Sequence, residues 1–123
     1  MPLRIASVTI DCADVQRMTD FWSAALGYQT GEERDVEAGD VFDPRDQDVE
    51  LVFVRVPEGK LVKNRVHLDI GADDRDAEVA RLEGLGATAV ETVRTWTVMR
   101  DPEGNEFCVI QVAEGDPLED WRT

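Results

Sequence analysis

The stretch "SVTIDCADVQRMTDFWSAALGY", Ser7 to Tyr28, begins a pattern that the chain uses twice. Its first residues alternate between apolar and polar side chains, as in a strand with one buried face. Asp14 is a candidate N-cap, apolar residues then recur at helical spacing, and Gly27 stands where a C-terminal cap belongs. Together with Ile5 and Ala6 directly before it, the stretch predicts a strand over residues 5–11 and a helix that ends before Gly27.

The same pattern returns in "RVHLDIGADDRDAEVARLEGLGA", residues 65–87. Ser7 lies seven residues before the first capping residue, Asp14, and His67 lies seven residues before the second, Asp74. Short strands are predicted after each helix, at residues 28–33, 38–42 and 49–56 and again at 87–93, 95–100 and 105–112. An internal repeat of this length indicates two modules of one design.

These elements predict an α+β fold with two βαβββ modules, whose curved sheets lie side by side around one concave cavity. We expect a single domain over residues 1–123. Module 1 spans about residues 3–56 and module 2 about residues 65–112, and residues 113–123 form a polar C-terminal tail.

Composition limits the possible functions. The 123 residues are 42% hydrophobic, which suits one globular domain. A net charge of −14 disfavours nucleic acid and anionic membranes as partners, and it favours either a cationic ligand or simple solubility. We find no secretory signal and no apolar run of the ~20 residues that a membrane helix needs. Cys12 and Cys108 are therefore expected to be free thiols in a cytoplasmic protein.

A second correspondence links the ends of the modules. "FDPRDQDVELVF" in module 1 resembles "RDPEGNEFCVI" in module 2, because each has an Asp-Pro turn followed by a strand. Glu50 stands seven residues after Asp43, and Cys108 stands seven residues after Asp101. This spacing aligns Glu50 with Cys108.

These motifs resemble those of the vicinal oxygen chelate superfamily, which includes glyoxalases, bleomycin-resistance proteins, fosfomycin-resistance enzymes and extradiol dioxygenases. The resemblance covers about residues 3–112. It implies a small-molecule ligand and a homodimer. In metal-using members four strand positions bind one divalent ion, and the residues at these positions here are Ser7, Glu50, His67 and Cys108. Glu50 and His67 fit the family pattern of His or Gln, Glu, His and Glu, whereas Ser7 and Cys108 depart from it.

Two alternatives stay open for these residues. In the first, imidazole, carboxylate and thiolate bind a divalent metal such as zinc, nickel, manganese or iron, and Glu106 replaces the missing carboxylate from the face that it shares with Cys108. In the second there is no metal: Cys108 is a small buried side chain, and His67 bonds to Asp69.

The resemblance therefore implies one of three functions. A metal-dependent lyase or isomerase with a degenerate metal site would use His67, Glu50 and Glu106 as catalytic residues. A metal-free protein of the bleomycin-resistance type would sequester a drug, and a metal-free enzyme would use His67 and a carboxylate as acid and base. Candidate substrate-binding residues are Trp96, Val52 and Val54, and Trp96 is equally compatible with plain packing.

Overall fold

The computed structural model describes residues 2–112, so the predicted tail at residues 113–123 lies outside the described part. By packing, the chain divides into two compact units, Met1–Leu61 and Val62–Thr123. The elements in chain order are β1 (Ser7–Cys12), α1 (Val15–Leu26), β2 (Gln29–Thr30), β3 (Ala38–Phe42), β4 (Glu50–Arg55), β5 (Leu68–Ala72), α2 (Arg75–Leu85), β6 (Thr88–Val93), β7 (Trp96–Arg100) and β8 (Glu106–Gln111).

Each unit contains a four-stranded sheet with the same topology. The order is β1-β4-β3-β2 in the first unit and β5-β8-β7-β6 in the second. The first and last strands of each unit pair in parallel, and the other neighbours pair antiparallel. The predicted α+β fold with two repeated modules is therefore confirmed.

Both helices begin and end with the predicted caps. The carboxylate of Asp14 accepts a hydrogen bond from the Arg17 N–H at 3.0 Å, and that of Asp74 accepts one from the Ala77 N–H at 3.1 Å. These bonds satisfy an N–H group that has no partner within the helix. Gly27 and Gly86 end the helices with φ of 69° and 118°, a left-handed conformation that favours glycine.

Each sheet buries one face against its own helix. Strand alternation sends every second side chain toward the helix, and the others form the opposite face. The largest buried side chains of unit 1 are Met18, Trp22 and Phe53, and those of unit 2 are Met99 and Phe107. The polar side chains that the alternation leaves on the opposite faces are the ones available for chemistry.

Two predicted strands are three residues too long at one end. The predicted strand at residues 28–33 is confined to Gln29–Thr30, because the carboxylate of Asp35 accepts bonds from the Glu37 and Ala38 N–H groups and turns the chain. The strand that alternation predicts from residue 65 begins three residues later, at Leu68. Val66, which the prediction placed on its apolar face, is 77% exposed.

Candidate metal centre

Three chemically different donors meet on the sheet face of unit 2 that lies opposite α2. Asp69 of β5 pairs in register with Cys108 of β8, so the two side chains point the same way. His67 precedes Asp69 by two residues and shares that face. One ligand atom from each of the three side chains lies within 4.8 Å of the other two. The imidazole Nε2 of His67 lies 3.3 Å from Oδ1 of Asp69.

The three side chains differ in exposure. His67 and Asp69 are 42% and 49% exposed, whereas Cys108 is 8% exposed. Burial raises the pKa of the Cys108 thiol, and the charge of Asp69 raises it further, while Lys63 opposes the rise. The thiol is therefore protonated at neutral pH when no cation is near, and a bound cation would displace its proton.

The donor set suits a divalent transition metal. Imidazole nitrogen, carboxylate oxygen and thiolate sulfur are the three ligand types that zinc accepts in proteins. Three protein donors leave a further position for water or a substrate oxygen, as in catalytic zinc sites. The residues present fit such an ion, and the set differs from the predicted one because it includes Asp69. The sequence signal for Asp69 is its place two residues after His67 in a strand.

Glu106 has a different partner. Its Oε2 accepts a hydrogen bond from the Asn64 N–H at 2.9 Å, across 42 residues of sequence. This bond ties the segment that leads into His67 to the start of β8. Glu106 therefore helps to place His67, and its role as a replacement metal ligand stays a prediction.

The strand register also changes a correspondence between the modules. Ser7 pairs with Glu50 in unit 1, and in unit 2 Leu68 pairs with Phe107, which sets His67 beside Glu106. By register the counterpart of Glu50 is Glu106, not Cys108. Sequence spacing misses this because the module 1 turn is longer: Glu50 follows Asp43 by seven residues, whereas Glu106 follows Asp101 by five.

The two Asp-Pro turns have a structural role. Asp101 is 3% exposed, and its carboxylate accepts bonds from the Glu103 and Asn105 N–H groups at 2.9 and 3.0 Å. Asp43 is 4% exposed and accepts equivalent bonds from Arg45 and Gln47. Hydrogen bonding from the Arg45 backbone lowers the pKa of Asp43. These aspartates hold the loops that lead into β4 and β8.

A carboxyl pair lies on the corresponding face of unit 1. The side chain of Glu50 hydrogen-bonds that of Asp40, and this bond, with burial and the charge of Asp40, raises the pKa of Glu50. Gly31 makes room for the pair, because a Cβ at that position would overlap the Asp40 carboxyl group. Asp40 pairs in register with Val52, which places Val52 on the same face. Glu50 also borders an open cleft of about 650 Å³, which is lined by residues 4–6, 42, 43 and 46–50.

Trp96 lies on the same face as Cys108. It pairs with Ile110, and the next residue on its face, Val98, pairs with Cys108. Trp96 is half-buried. Its predicted role as a ligand contact stays a prediction.

The four predicted metal positions divide between the units. Ser7 and Glu50 are register partners in unit 1, and His67 and Cys108 approach each other in unit 2.

Comparison with known proteins identifies the family. Residues 7–110 match the sequence model of the glyoxalase-like domain. The chain belongs to the glyoxalase-like domain family. This confirms the resemblance to the glyoxalase, bleomycin-resistance and dioxygenase group. No curated protein matches the sequence of this glyoxalase-like chain. Among its described residues, none of the helices has the length and apolar character needed to cross a membrane.

Solved structures share the fold. A glyoxalase/bleomycin resistance protein/dioxygenase family enzyme from Burkholderia phytofirmans PsJN is 22% identical with a TM-score of 0.72, and the match covers 89% of this chain and 99% of that one. The fosfomycin resistance protein FosX from Mesorhizobium loti is 16% identical with a TM-score of 0.71, and the match covers 100% of both chains. A mutant FosX from Listeria monocytogenes, complexed with Mn(II) and 1S,2S-dihydroxypropylphosphonic acid, is 11% identical with a TM-score of 0.70 over 93% of this chain and 94% of that one.

Proposed function

We propose that this glyoxalase-like protein binds a small organic molecule with the help of a divalent metal held by His67, Asp69 and Cys108. The observation that carries the proposal is the meeting of three donor types within 4.8 Å on one sheet face. A structural neighbour, the FosX from L. monocytogenes, is complexed with Mn(II), which supports a metal-dependent function in this fold.

The surrounding residues would prepare the site. A bound divalent metal would act as a Lewis acid toward an oxygen of the ligand. Asp69 lies 3.3 Å from the His67 imidazole, so these two donors already lie side by side. The Glu106 bond to the Asn64 N–H holds the segment before His67. Trp96, on the same face, offers aromatic surface for the ligand.

Proton transfer is the second part of the proposal. We propose that Glu50 acts as the acid and base. The reaction would be a lyase or isomerase reaction, which is the type that the family resemblance implies. The hydrogen bond to Asp40 raises the pKa of Glu50, which is the direction that an acid–base role for a carboxyl group needs. The four-residue metal set of Ser7, Glu50, His67 and Cys108 stays a prediction, as do the homodimer and the cytoplasmic location.

A metal-free binding protein is the second candidate. The pairing of His67 with Asp69 and the protonated thiol of Cys108 satisfy these groups without a cation. The net charge of −14 then favours a cationic ligand, as in sequestration of a drug.

Tryptophan fluorescence separates the two candidates. The protein would be titrated with small molecules that carry two adjacent oxygens, and with cationic drugs, once with added zinc or manganese and once with a chelator. Metal-dependent binding should give a saturable signal that the chelator abolishes and that Trp96→Phe reduces. Trp22 is 2% exposed and serves as the internal reference for a buried indole. Equal binding in the chelator would favour the metal-free candidate.

A further inference from the structure

We propose that the metal site is complete within unit 2 and that it selects a thiophilic, zinc-type ion over hard ions such as Mn²⁺ and Mg²⁺. This inference rests on the proposed metal-dependent function and adds the identity of the ion and its full set of protein ligands. The juxtaposition that carries it is Asp69 on β5, His67 two residues before it, and Cys108 on the adjacent strand β8.

The backbone fixes the three positions relative to one another. Asp69 and Cys108 are register partners on adjacent parallel strands, and His67 is two residues from Asp69. Phe107 and Val109, which flank Cys108, are 2% and 1% exposed and anchor β8 in the core. Asp69 and Cys108 thus lie on regular strands, and His67 lies directly before β5. The site needs no residue from unit 1 to bring three ligand atoms within 4.8 Å.

The chemistry of the donors sets the choice of ion. Thiolate ligands favour soft and borderline ions, whereas Mg²⁺ and Mn²⁺ prefer carboxylate, carbonyl and water oxygens. Here one donor is sulfur, one is nitrogen and one is a single carboxylate. A thiolate and a carboxylate also balance the charge of a divalent ion. The set therefore favours Zn²⁺ and Cd²⁺ over the hard ions.

Accessibility leaves room for an exchangeable ligand. His67 and Asp69 are nearly half exposed, while Cys108 lies beneath them at 8% exposure. An ion seated on the sulfur would therefore keep its solvent-facing side open for water or for a ligand oxygen. This is the arrangement of a catalytic zinc site and not of a closed structural one.

The experiment is a metal titration of the full-length chain after removal of metal. Affinities for Zn²⁺, Cd²⁺, Mn²⁺ and Mg²⁺ would be measured by competition with a chromophoric chelator, with far-UV circular dichroism as the folding check. The variants are Cys108→Asp, Asp69→Asn and Glu50→Gln. Cys12→Ala is the matched control for losing a buried thiol, since Cys12 is 2% exposed and lies in unit 1.

We expect the unaltered protein to bind Zn²⁺ at least ~100-fold more tightly than Mn²⁺. Cys108→Asp should reduce the ratio of Zn²⁺ affinity to Mn²⁺ affinity by about tenfold or more. Asp69→Asn should weaken Zn²⁺ binding by about 10–100-fold. Glu50→Gln and Cys12→Ala should bind as the unaltered protein does. Cobalt added to the unaltered protein should show a sulfur-to-metal charge-transfer band, which needs no variant to fold.

Four results would overturn the inference. Equal or tighter binding of Mn²⁺, or a cobalt complex without a charge-transfer band, would show metal binding without selection by sulfur. Loss of Zn²⁺ in Glu50→Gln as large as in Asp69→Asn would show a site that extends beyond unit 2. In each of these three cases the proposed metal-dependent function would survive. Failure to bind any of the ions would overturn both.

Discussion

The carboxyl pair of unit 1 gives a prediction with a definite sign. The side chains of Asp40 and Glu50 are hydrogen-bonded to each other. Two carboxyl groups in contact resist losing both protons, and this raises the pKa of Glu50. A carboxyl with a raised folded-state pKa stabilises the fold below its unfolded-state pKa. That contribution is lost as the pH rises through the folded-state pKa. Once Glu50 has lost its proton, the charge of Asp40 repels the Glu50 carboxylate.

Asp40→Asn removes the charge that repels the Glu50 carboxylate. In addition, the asparagine amide can donate a hydrogen bond to that carboxylate. Both side chains are half-buried, so solvent screens the pair and the gain at pH 7 should be about 0.5 kcal/mol. That gain corresponds to a rise in melting temperature of roughly 2–3 °C for a chain of this size. Below the unfolded-state pKa of Glu50, near pH 4, the gain should vanish or reverse.

The assay is thermal unfolding followed by circular dichroism at several values between pH 4 and pH 8. Glu32→Gln is the matched control, because Glu32 is exposed and its loss also removes one negative charge from a chain of net charge −14. The control should show a smaller effect with little pH dependence. A melting temperature that falls at pH 7 in Asp40→Asn, or a gain that does not change with pH, would refute the electrostatic reasoning.

Three further changes should alter stability in predictable ways. Asp101→Ala should destabilise the fold by about 2 kcal/mol in urea unfolding, because it leaves turn N–H groups without their charged partner, and Asp101→Asn should lose less. Gly84→Ala in α2 should stabilise by up to about 1 kcal/mol, since nothing lies within 4 Å of the added Cβ; no gain would contradict this. Glu106→Ala should speed hydrogen exchange at the Asn64 amide, whereas Glu106→Gln, which keeps an acceptor, should protect it.

Much of the fold is predictable because its signals are local. The caps at Asp14 and Asp74 and the glycines at 27 and 86 each act within one helical turn, so the sequence places both helices closely. The repeat then extends the assignment to the strands. Strand ends are less predictable, because the alternation extends back to the exposed Val66, which lies before β5. In that segment the Asn64 N–H donates a hydrogen bond to the Glu106 carboxylate, a contact that the alternation does not reveal.

The site is predictable only in part. The repeat gives the positions of His67 and Cys108, the family resemblance implies that they are ligand positions, and the structure brings these two together. The sequence assigns Asp69 only as a hydrogen-bond partner of His67, because its closeness to Cys108 depends on the strand register. Register is a non-local property, and here it is hidden by turns of different length after Asp43 and Asp101.

The Asp40–Glu50 pair could not be read from the sequence for the same reason. Asp40 lies on β3 and Glu50 on β4, and their contact depends on how these strands pair and on the space that Gly31 leaves. Ser7 and Glu50 are register partners, which agrees with their predicted positions on one face. Their joint action with His67 and Cys108 stays a prediction.

The most direct test of the central claim is the metal content of the protein as purified without a chelating tag. Native mass spectrometry would count ions per chain, and elemental analysis would identify them. The proposal predicts about one divalent ion per chain, lost in His67→Ala and kept in the Cys12→Ala control. A chain that carries no metal as purified and takes up none from zinc, nickel, manganese or iron solutions would contradict it and favour the metal-free binding protein.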